Sequence, residues 1–248
     1  MDSRNPIFLL KPGEVHLWLF NLDQPAQPHP DWERLLSNEE IIRSERFIAD
    51  SDRKRFIARR GILRQLLGHY CGVDPAGVSY QANPNGKLSL SHLPIAFNIS
   101  KSENRIAYVF TLLKCAGVDI EQVRPLPDLS LLAKRCFSQQ ELAGLAGLPQ
   151  SLQLEAFYHT WTQKEAFIKA KGLGLSQPLK DFSVSVDPTK PGRLISITGC
   201  PNEPSEWKMT CFKPEADWRV TVCVRTEKDI NVLLKLAEEN DLISIEPS

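Results

Sequence analysis

The stretch WTQKEAFIKAKG, residues 161–172, decides how the second half of this chain folds. With the preceding LQLEAFYHT, it repeats apolar side chains at helical spacing, which predicts a helix from Ser151 to Lys171 with Gly172 as its C-cap. The apolar stripe that faces the core consists of Leu154, Phe157, Trp161 and Ile168.

Two charged side chains of this helix, Lys164 and Glu165, project beside that apolar stripe. A charge next to the core must be paired or coordinated to be tolerated. A surface pair between Glu165 and Lys169 would be worth only a few tenths of a kcal/mol and would not explain that position. The helix therefore predicts a site in which Glu165 is an oxygen ligand of a metal and Lys164 and Lys169 bind phosphate.

The segment GVDIE, residues 117–121, reads as a strand in which two carboxylates share one face. Side chains alternate along a strand, so Asp119 and Glu121 point one way while Val118 and Ile120 point the other. Two carboxylates beside a glycine are suited to Mg²⁺, which binds one or two carboxylates and completes its shell with water and phosphate oxygens. Taken alone, the segment fits a half-exposed strand equally well; the helix described above favours a metal site.

Two short turns bring further phosphate-binding groups. FNISKS, residues 97–102, runs from a strand into Ser100 and Lys101, which offer a hydroxyl and an ammonium group. NGK, residues 85–87, is a tight turn that presents Lys87. Taken by itself, each turn is better explained as a solvent-facing turn.

A basic segment precedes these turns. Between Arg43 and Arg64 there are eight basic residues and three acidic ones, in a chain whose formal net charge is zero. Such a segment is usually a solvated helix face, but it could also bind a polyanionic ligand or an acidic protein. Its few aromatic residues argue against binding of single-stranded nucleic acid.

The composition indicates a soluble globular protein, with 42% hydrophobic and 24% charged residues in 248. A neutral chain gives no sign of a nucleic-acid or membrane partner. The six cysteines form no CxxC pair, and the first apolar run is too short for a signal peptide. We therefore expect a cytoplasmic protein without zinc or disulfides.

Strand-like and helical segments alternate without the regular period of a parallel doubly wound sheet, which favours an α+β fold with antiparallel pairing. Capping boxes begin helices at Ser37 and Ser138. RIAYVFTLL (105–113) and GVDIEQV (117–123) are predicted to form a hairpin, QPAQPHP (24–30) a loop, and 228–240 a polar tail. The expected lobes are residues 1–115 and 116–248, each with strands and one long helix.

In their order and spacing, FNISKS, GVDIE and FYHTWTQKEAFIKAKGLGL, with NGK upstream, resemble the motifs of 4′-phosphopantetheinyl transferases of the surfactin-synthetase-activating type. The resemblance extends over most of the chain, and its length is similar to that of the large members, in which two similar lobes form one monomer. It implies a pseudo-twofold fold with the active site between the lobes. It also implies transfer of the phosphopantetheine arm of coenzyme A to a serine of an apo carrier protein, with Mg²⁺.

The resemblance also implies roles for individual residues. Those expected are Asp119, Glu121 and Glu165 as metal ligands, Lys169 at the bridging oxygen, Lys164 near the phosphates, and Lys87, Ser100, Lys101 and Arg60 as coenzyme A contacts. Glu141 is a candidate base for the incoming serine, although with Ser138 it also completes a capping box. Lys101 stands where the family usually has histidine, so a histidine-specific role is not expected there.

Three other functions remain open at the level of sequence. The same acids and lysines could serve a Mg²⁺-dependent nuclease or phosphodiesterase, which would leave FNISKS unexplained. The chain could be a coenzyme A or carrier-binding module without activity, although its site residues show no gaps. The basic segment 43–64 could bind nucleic acid.

Overall fold

Two long helices and two sheets organise the protein, whose computed structural model describes residues 8–22, 30–91, 93–174 and 177–236. In the first half the elements are β1 (Glu14–Asn21), α1 (Pro30–Leu35), α2 (Asn38–Ser44), α3 (Asp50–Cys71), β2 (Gln81–Ala82), β3 (Leu88–Ser89), β4 (Ala96–Ser102) and β5 (Arg105–Thr111). In the second half they are β6 (Ala116–Gln122), α4 (Leu129–Cys136), α5 (Gln139–Ala146), α6 (Gln150–Lys171), β7 (Phe182–Val184), β8 (Leu194–Ile197), β9 (Trp207–Phe212), β10 (Trp218–Arg225) and β11 (Asn231–Leu236). The α+β prediction is confirmed.

The two larger sheets pack against each other through their apolar faces. Within the described residues, one has the strand order β11-β1-β5-β4 and the other β6-β10-β9. Pairing is antiparallel in both except between β1 and β11, which run parallel. Valine, leucine and isoleucine side chains from β1, β5, β6 and β10 form a common apolar core between the two sheets.

The long helices cover the outer faces of these sheets. Helix α3 packs on the first sheet through a core that includes Phe56, Leu63 and Leu67 with Phe20 and Phe110. Helix α6 packs on the second sheet, where Phe167 meets β7 and β9. Each half of the chain therefore supplies one helix of 22 residues and most of one sheet.

Helix α6 lies unusually close to β6 at Gly117. A Cβ atom at this position would stand 2.0 Å from the carbonyl oxygen of Ala166 and 2.4 Å from the backbone nitrogen of Ala170. Only glycine allows this approach. The contact brings the carboxylates of β6 and the charged side chains of α6 to the same place.

Most predicted boundaries are confirmed, and the one predicted strand pairing is corrected. Both capping boxes are present, at Ser37 and Ser138, and Gly172 caps α6 in the left-handed conformation. The predicted hairpin of 105–113 with 117–123 is wrong, because β5 pairs with β1 and β4 while β6 pairs with β10.

The C-terminal segment differs from the predicted polar tail. Residues 231–236 form β11, which lies beside β1 in the sheet of the first half. This sheet thus takes a strand from the segment assigned to the second lobe. The predicted loop 24–30 lies almost entirely outside the described residues, as does the tail beyond residue 236.

Candidate active site

Three carboxylates meet where β6 passes beneath α6. Asp119 and Glu121 occupy the face of β6 turned away from the core between the sheets, as the alternation predicts. Burial raises the pKa of Glu165 on α6, and the charge of Asp119 raises it further. The pKa of Glu121 is raised in the same way, by burial first and by Asp119 second. Clustered, partly desolvated carboxylates of this kind favour a bound cation.

A lysine lies within this cluster. Lys169 Nζ is 2.5 Å from Asp119 Oδ1 and 2.8 Å from Ser100 Oγ. Burial still raises the pKa of Asp119, although Lys169 and Ser100 act in the opposite direction. The second carboxylate oxygen of Asp119, Oδ2, is buried and has no hydrogen-bond partner among the described residues. Lys169 therefore pairs with β6 and not with Glu165 one turn away.

Two serines of β4 orient the carboxylates of β6. Ser100 donates a hydrogen bond of 2.8 Å to Asp119, and Ser102 donates one of 2.8 Å to Glu121. The indole nitrogen of Trp161 lies 3.4 Å from the other oxygen of Glu121. Ser102 and Trp161 were not predicted as site residues, although Ser102 lies in FNISKS and shares the strand face of Ser100.

A basic pocket of about 350 Å³ opens beside the cluster. Its charged walls are Arg43, Arg59, Arg60 and Lys101, and Ser100 belongs to both the pocket and the cluster. Burial lowers the pKa of Arg59, and the charges of Arg60 and Arg43 lower it further. Glu40 lies 3.6 Å from Arg60 Nε and offsets part of this positive charge. The crowded guanidinium groups together still suit a phosphate. Arg60 and Lys101, which were expected as coenzyme A contacts, line this pocket together. Arg43 and Arg59 were not singled out and belong to the basic segment 43–64.

The structure places Lys164 and Glu141 elsewhere, with both side chains fully buried. Lys164 Nζ donates 2.7 Å bonds to both oxygens of Glu141 and a 2.8 Å bond to the carbonyl of Phe182. Glu141 also accepts the N–H groups of Ser138 and Val184. Burial lowers the pKa of Lys164, and Glu141 opposes that shift. This pair holds α5, α6 and β7 together and does not face the carboxylate cluster, so the expected phosphate contact and base role are corrected.

Lys87 is also placed differently from the expected phosphate contact. Its ammonium group donates to the carbonyl oxygens of Ala116, Lys169 and Ala170 at 3.0, 2.6 and 2.7 Å. Burial lowers the pKa of Lys87. All three of its protons have acceptors, so the side chain is held between β6 and α6.

Carboxylates and a lysine beside a pocket of arginines are typical of enzyme sites for substrates that carry phosphate groups. The family model of the 4′-phosphopantetheinyl transferase superfamily matches residues 116–223. HetI, a 4′-phosphopantetheinyl transferase of Nostoc sp., is 38% identical over 76% of this chain and 81% of its own. Sfp, the 4′-phosphopantetheinyl transferase of Bacillus subtilis, is 31% identical over the same shares.

The chain belongs to the 4′-phosphopantetheinyl transferase family. Among solved structures, the holo-[acyl-carrier-protein] synthase of Thermotoga maritima matches with a TM-score of 0.37 and 19% identity, over 46% of this chain and 64% of that one. None of the helices in the described ranges is both long and apolar enough to cross a bilayer.

Proposed function

We propose that this site transfers the 4′-phosphopantetheine arm of coenzyme A to a serine of an apo acyl or peptidyl carrier protein and releases 3′,5′-ADP. The chain is a transferase of the family that catalyses this reaction. One observation carries the assignment of the site: Ser100 joins the carboxylate cluster to the basic pocket. Coenzyme A with its pyrophosphate at the cluster would therefore place its nucleotide end in the pocket.

The reaction exchanges a phosphoanhydride bond of coenzyme A for a phosphoester bond to the carrier serine. The serine oxygen of the carrier bonds to the β-phosphorus of coenzyme A, and the bond from that phosphorus to the bridging oxygen breaks. The serine proton passes to solvent, and 3′,5′-ADP leaves with the bridging oxygen. Lys169 is the cation nearest the cluster, and it would stabilise the charge that develops on the leaving oxygen.

The residues present fit the Mg²⁺ ion that the family implies. Asp119 has a buried oxygen without a partner, and Asp119, Glu121 and Glu165 offer the hard oxygen donors that Mg²⁺ prefers. When bound, the ion would neutralise negative charge on the pyrophosphate. Over the described ranges, no three His, Cys, Asp or Glu side chains are already arranged to hold a metal, and Asp119 is paired with Lys169.

The basic pocket would hold the phosphates at the nucleotide end. Arg60 and Lys101 are proposed for the 3′-phosphate end, with Arg43 and Arg59 adding positive charge. Ser100 would orient Asp119 and lie beside the pyrophosphate. Lys101 stands where the family usually has histidine, and its ammonium group would contact a phosphate directly.

The deciding experiment is a mass assay over a panel of apo carriers from fatty-acid, polyketide, peptide and lysine pathways. With coenzyme A and Mg²⁺, a carrier serine should gain one phosphopantetheine mass. No gain on any carrier would overturn the proposal. Coenzyme A binding without turnover would then favour a binding module, and cleavage of DNA or RNA without a carrier would favour a nuclease.

Asp119→Asn tests the proposed metal ligand. This substitution keeps the side-chain volume and the Ser100 contact but removes the charge. Transfer should fall about 100- to 1,000-fold, the usual cost of losing one preorganised electrostatic group. Unchanged circular dichroism would show that the fold persists, and full activity in this variant would remove Asp119 from the site.

We further propose a cytoplasmic monomer that binds no nucleic acid and no membrane. All six cysteines are free, which suits a reducing compartment. Cluster and pocket are both built by a single chain, so a second copy is not needed to complete the site. Light scattering would give the oligomeric state, and a salt-dependent gel shift would detect nucleic-acid binding through residues 43–64.

A further inference from the structure

The carbonyl end of α6 is closed by a turn from the other half of the chain. The last carbonyls of a helix lack partners within the helix and must find them elsewhere. Lys87 donates to the carbonyls of Lys169 and Ala170, at 2.6 and 2.7 Å. The amides of Asn83 and Asn85 donate to the carbonyl of Gly172, at 2.9 and 3.1 Å.

The same ammonium group reaches β6. Its third bond, of 3.0 Å, goes to the carbonyl of Ala116, three residues before Asp119. One side chain is therefore bonded to the strand that carries Asp119 and to the residue, Lys169, that pairs with Asp119. A shift of α6 along β6 would break one of these bonds.

The turn itself is shaped to deliver this lysine. Asn83 Oδ1 accepts the backbone N–H groups of Asn85 and Lys87, both at 2.9 Å. Gly86 and Leu88 line the basic pocket, whereas Lys87 lies between them in sequence and points toward α6. A Cβ atom on Gly172 would stand 2.9 Å from Lys87 Cδ, so the lysine stem is packed against the helix cap.

We propose that Lys87 is a positioning residue, which caps α6 and fixes Lys169 against Asp119, and that it does not bind the phosphates of coenzyme A. The kinetic part of this inference rests on the proposed transferase function; the structural part does not. The positive charge also lies at the carbonyl end of the helix, where a cation is stabilising.

Lys87→Met is the test, and Lys101→Met in the basic pocket is its matched control. In Lys87→Met, amide hydrogen exchange at residues 168–172 should accelerate at least about tenfold, because their cap is lost. Its kcat should fall about 10- to 100-fold, as small misplacements of reacting groups do. Its Kd for 3′,5′-ADP, measured by calorimetry, should stay within about twofold of wild type, because no phosphate contact is removed.

Lys101→Met should show the reverse pattern. Its Kd for 3′,5′-ADP should rise about tenfold with the loss of one charge-assisted contact, while exchange at 168–172 stays unchanged. The inference is overturned if Lys87→Met weakens 3′,5′-ADP as Lys101→Met does and leaves exchange at 168–172 as in wild type.

Asn83→Ala is the second variant, for the case that Lys87→Met does not fold. It keeps the lysine but removes one amide bond to Gly172 and loosens the turn. Amide hydrogen exchange at residues 168–172 should again accelerate, but by less than in Lys87→Met. Unchanged exchange would contradict the capping role. If wild type modifies no carrier, the transferase proposal fails, but exchange and 3′,5′-ADP binding still decide the role of Lys87.

Discussion

A lysine can be buried at low cost when every proton on its ammonium group has an acceptor, and Lys164 meets that condition. Glu141 takes two of its bonds and the carbonyl of Phe182 takes a third. The aromatic ring of Phe182 lies 4.2 Å below the ammonium group. The network ties α5 and β7 to α6, and its removal should affect stability before it affects binding.

Lys164→Met should lower the free energy of unfolding by about 3–5 kcal/mol, because it leaves Glu141 charged and buried without its cation. Denaturant titration would measure this loss. The Kd for 3′,5′-ADP of the folded protein should be unchanged. A variant of wild-type stability with weakened 3′,5′-ADP binding would instead restore Lys164 as a phosphate contact.

The double variant Lys164→Met with Glu141→Gln is the control for this interpretation. Glutamine removes the unpaired carboxylate charge and keeps an oxygen acceptor for the N–H groups at Ser138 and Val184, so part of the lost stability should return. A double variant that recovers no stability would show that the unpaired charge was not the cause.

The carboxylate cluster should lower stability at neutral pH. The pKa of Glu165 is raised in the folded protein, mainly by burial, so folding favours its protonated form. The stability that protonated Glu165 contributes is therefore fully present below its pKa in the unfolded chain. This contribution is lost as the pH rises through the pKa of Glu165 in the folded protein. Glu165→Gln should raise Tm at pH 8 without metal by about 2–4 °C, the shift expected for about 1 kcal/mol. The gain should disappear near pH 4.

Glu203→Gln is a control of opposite sign. Partial burial tends to raise the pKa of Glu203, but the hydrogen bond and charge of Lys171 lower it overall. Its ionised form therefore stabilises the fold, and the glutamine variant should have a lower Tm at pH 8. Equal shifts in both variants would contradict this account of the cluster.

The roles of single residues were the least predictable part of the site. The strand period of two placed Asp119 and Glu121 on one strand face, and the helical period placed Glu165 and Lys169 one turn apart. Both periods can be read from neighbouring residues in the sequence. The partners of Lys87 lie far along the chain, on α6 and β6. Sequence spacing carries no information about such partners, so this lysine was assigned to phosphate.

At the scale of elements, the approach of α6 to β6 depends on Gly117. Gly117→Ala would place a methyl group 2.0 Å from the carbonyl oxygen of Ala166, so the helix must move away from the strand. Overpacking of this kind costs about 1–3 kcal/mol or more. Transfer should also fall, because Lys169 would leave Asp119. Thermal unfolding and the carrier mass assay measure both effects.

Gly77→Ala is the matched control for this substitution. The nearest atom to a Cβ at Gly77 is 4.0 Å away, which is an ordinary contact. Its stability should stay within about 0.5 kcal/mol of wild type and its activity should be unchanged. If Gly117→Ala behaved like Gly77→Ala, the close helix–strand contact would not matter for the site.

Elements were predicted better than their pairing. Capping boxes and hydrophobic periods located α2, α5, α6 and β6, since these signals lie within each segment. The error was to join β5 and β6 as a hairpin, because their closeness in sequence suggested pairing. The actual partners, β1 for β5 and β10 for β6, depend on which apolar faces meet between the sheets.

At the scale of the whole molecule, β11 protects one edge of the first sheet. It pairs with β1 from Glu14↔Asn231 to Leu19↔Leu236, and Val232 packs against the core between the sheets. Ending the chain after Ile230 should expose the edge of β1, lower Tm and promote aggregation. Differential scanning fluorimetry and light scattering would measure these changes.

Leu234→Ser provides the comparison for this truncation. This side chain is 38% exposed, and the substitution leaves the backbone pairing of β11 intact. Its Tm and its light scattering should match those of the wild-type protein. A truncated protein that is as stable and as monomeric as this variant would show that β11 is dispensable.

The parallel pairing of β1 with β11 also affects how the chain folds during synthesis. Glu14 leaves the ribosome more than 200 residues before its partner Asn231. At roughly 5–20 residues per second, the first sheet lacks its outer strand for about 10–40 s. The N-terminal half thus waits for the last strand of the second half, and one edge of β1 stays open to chaperones throughout that interval.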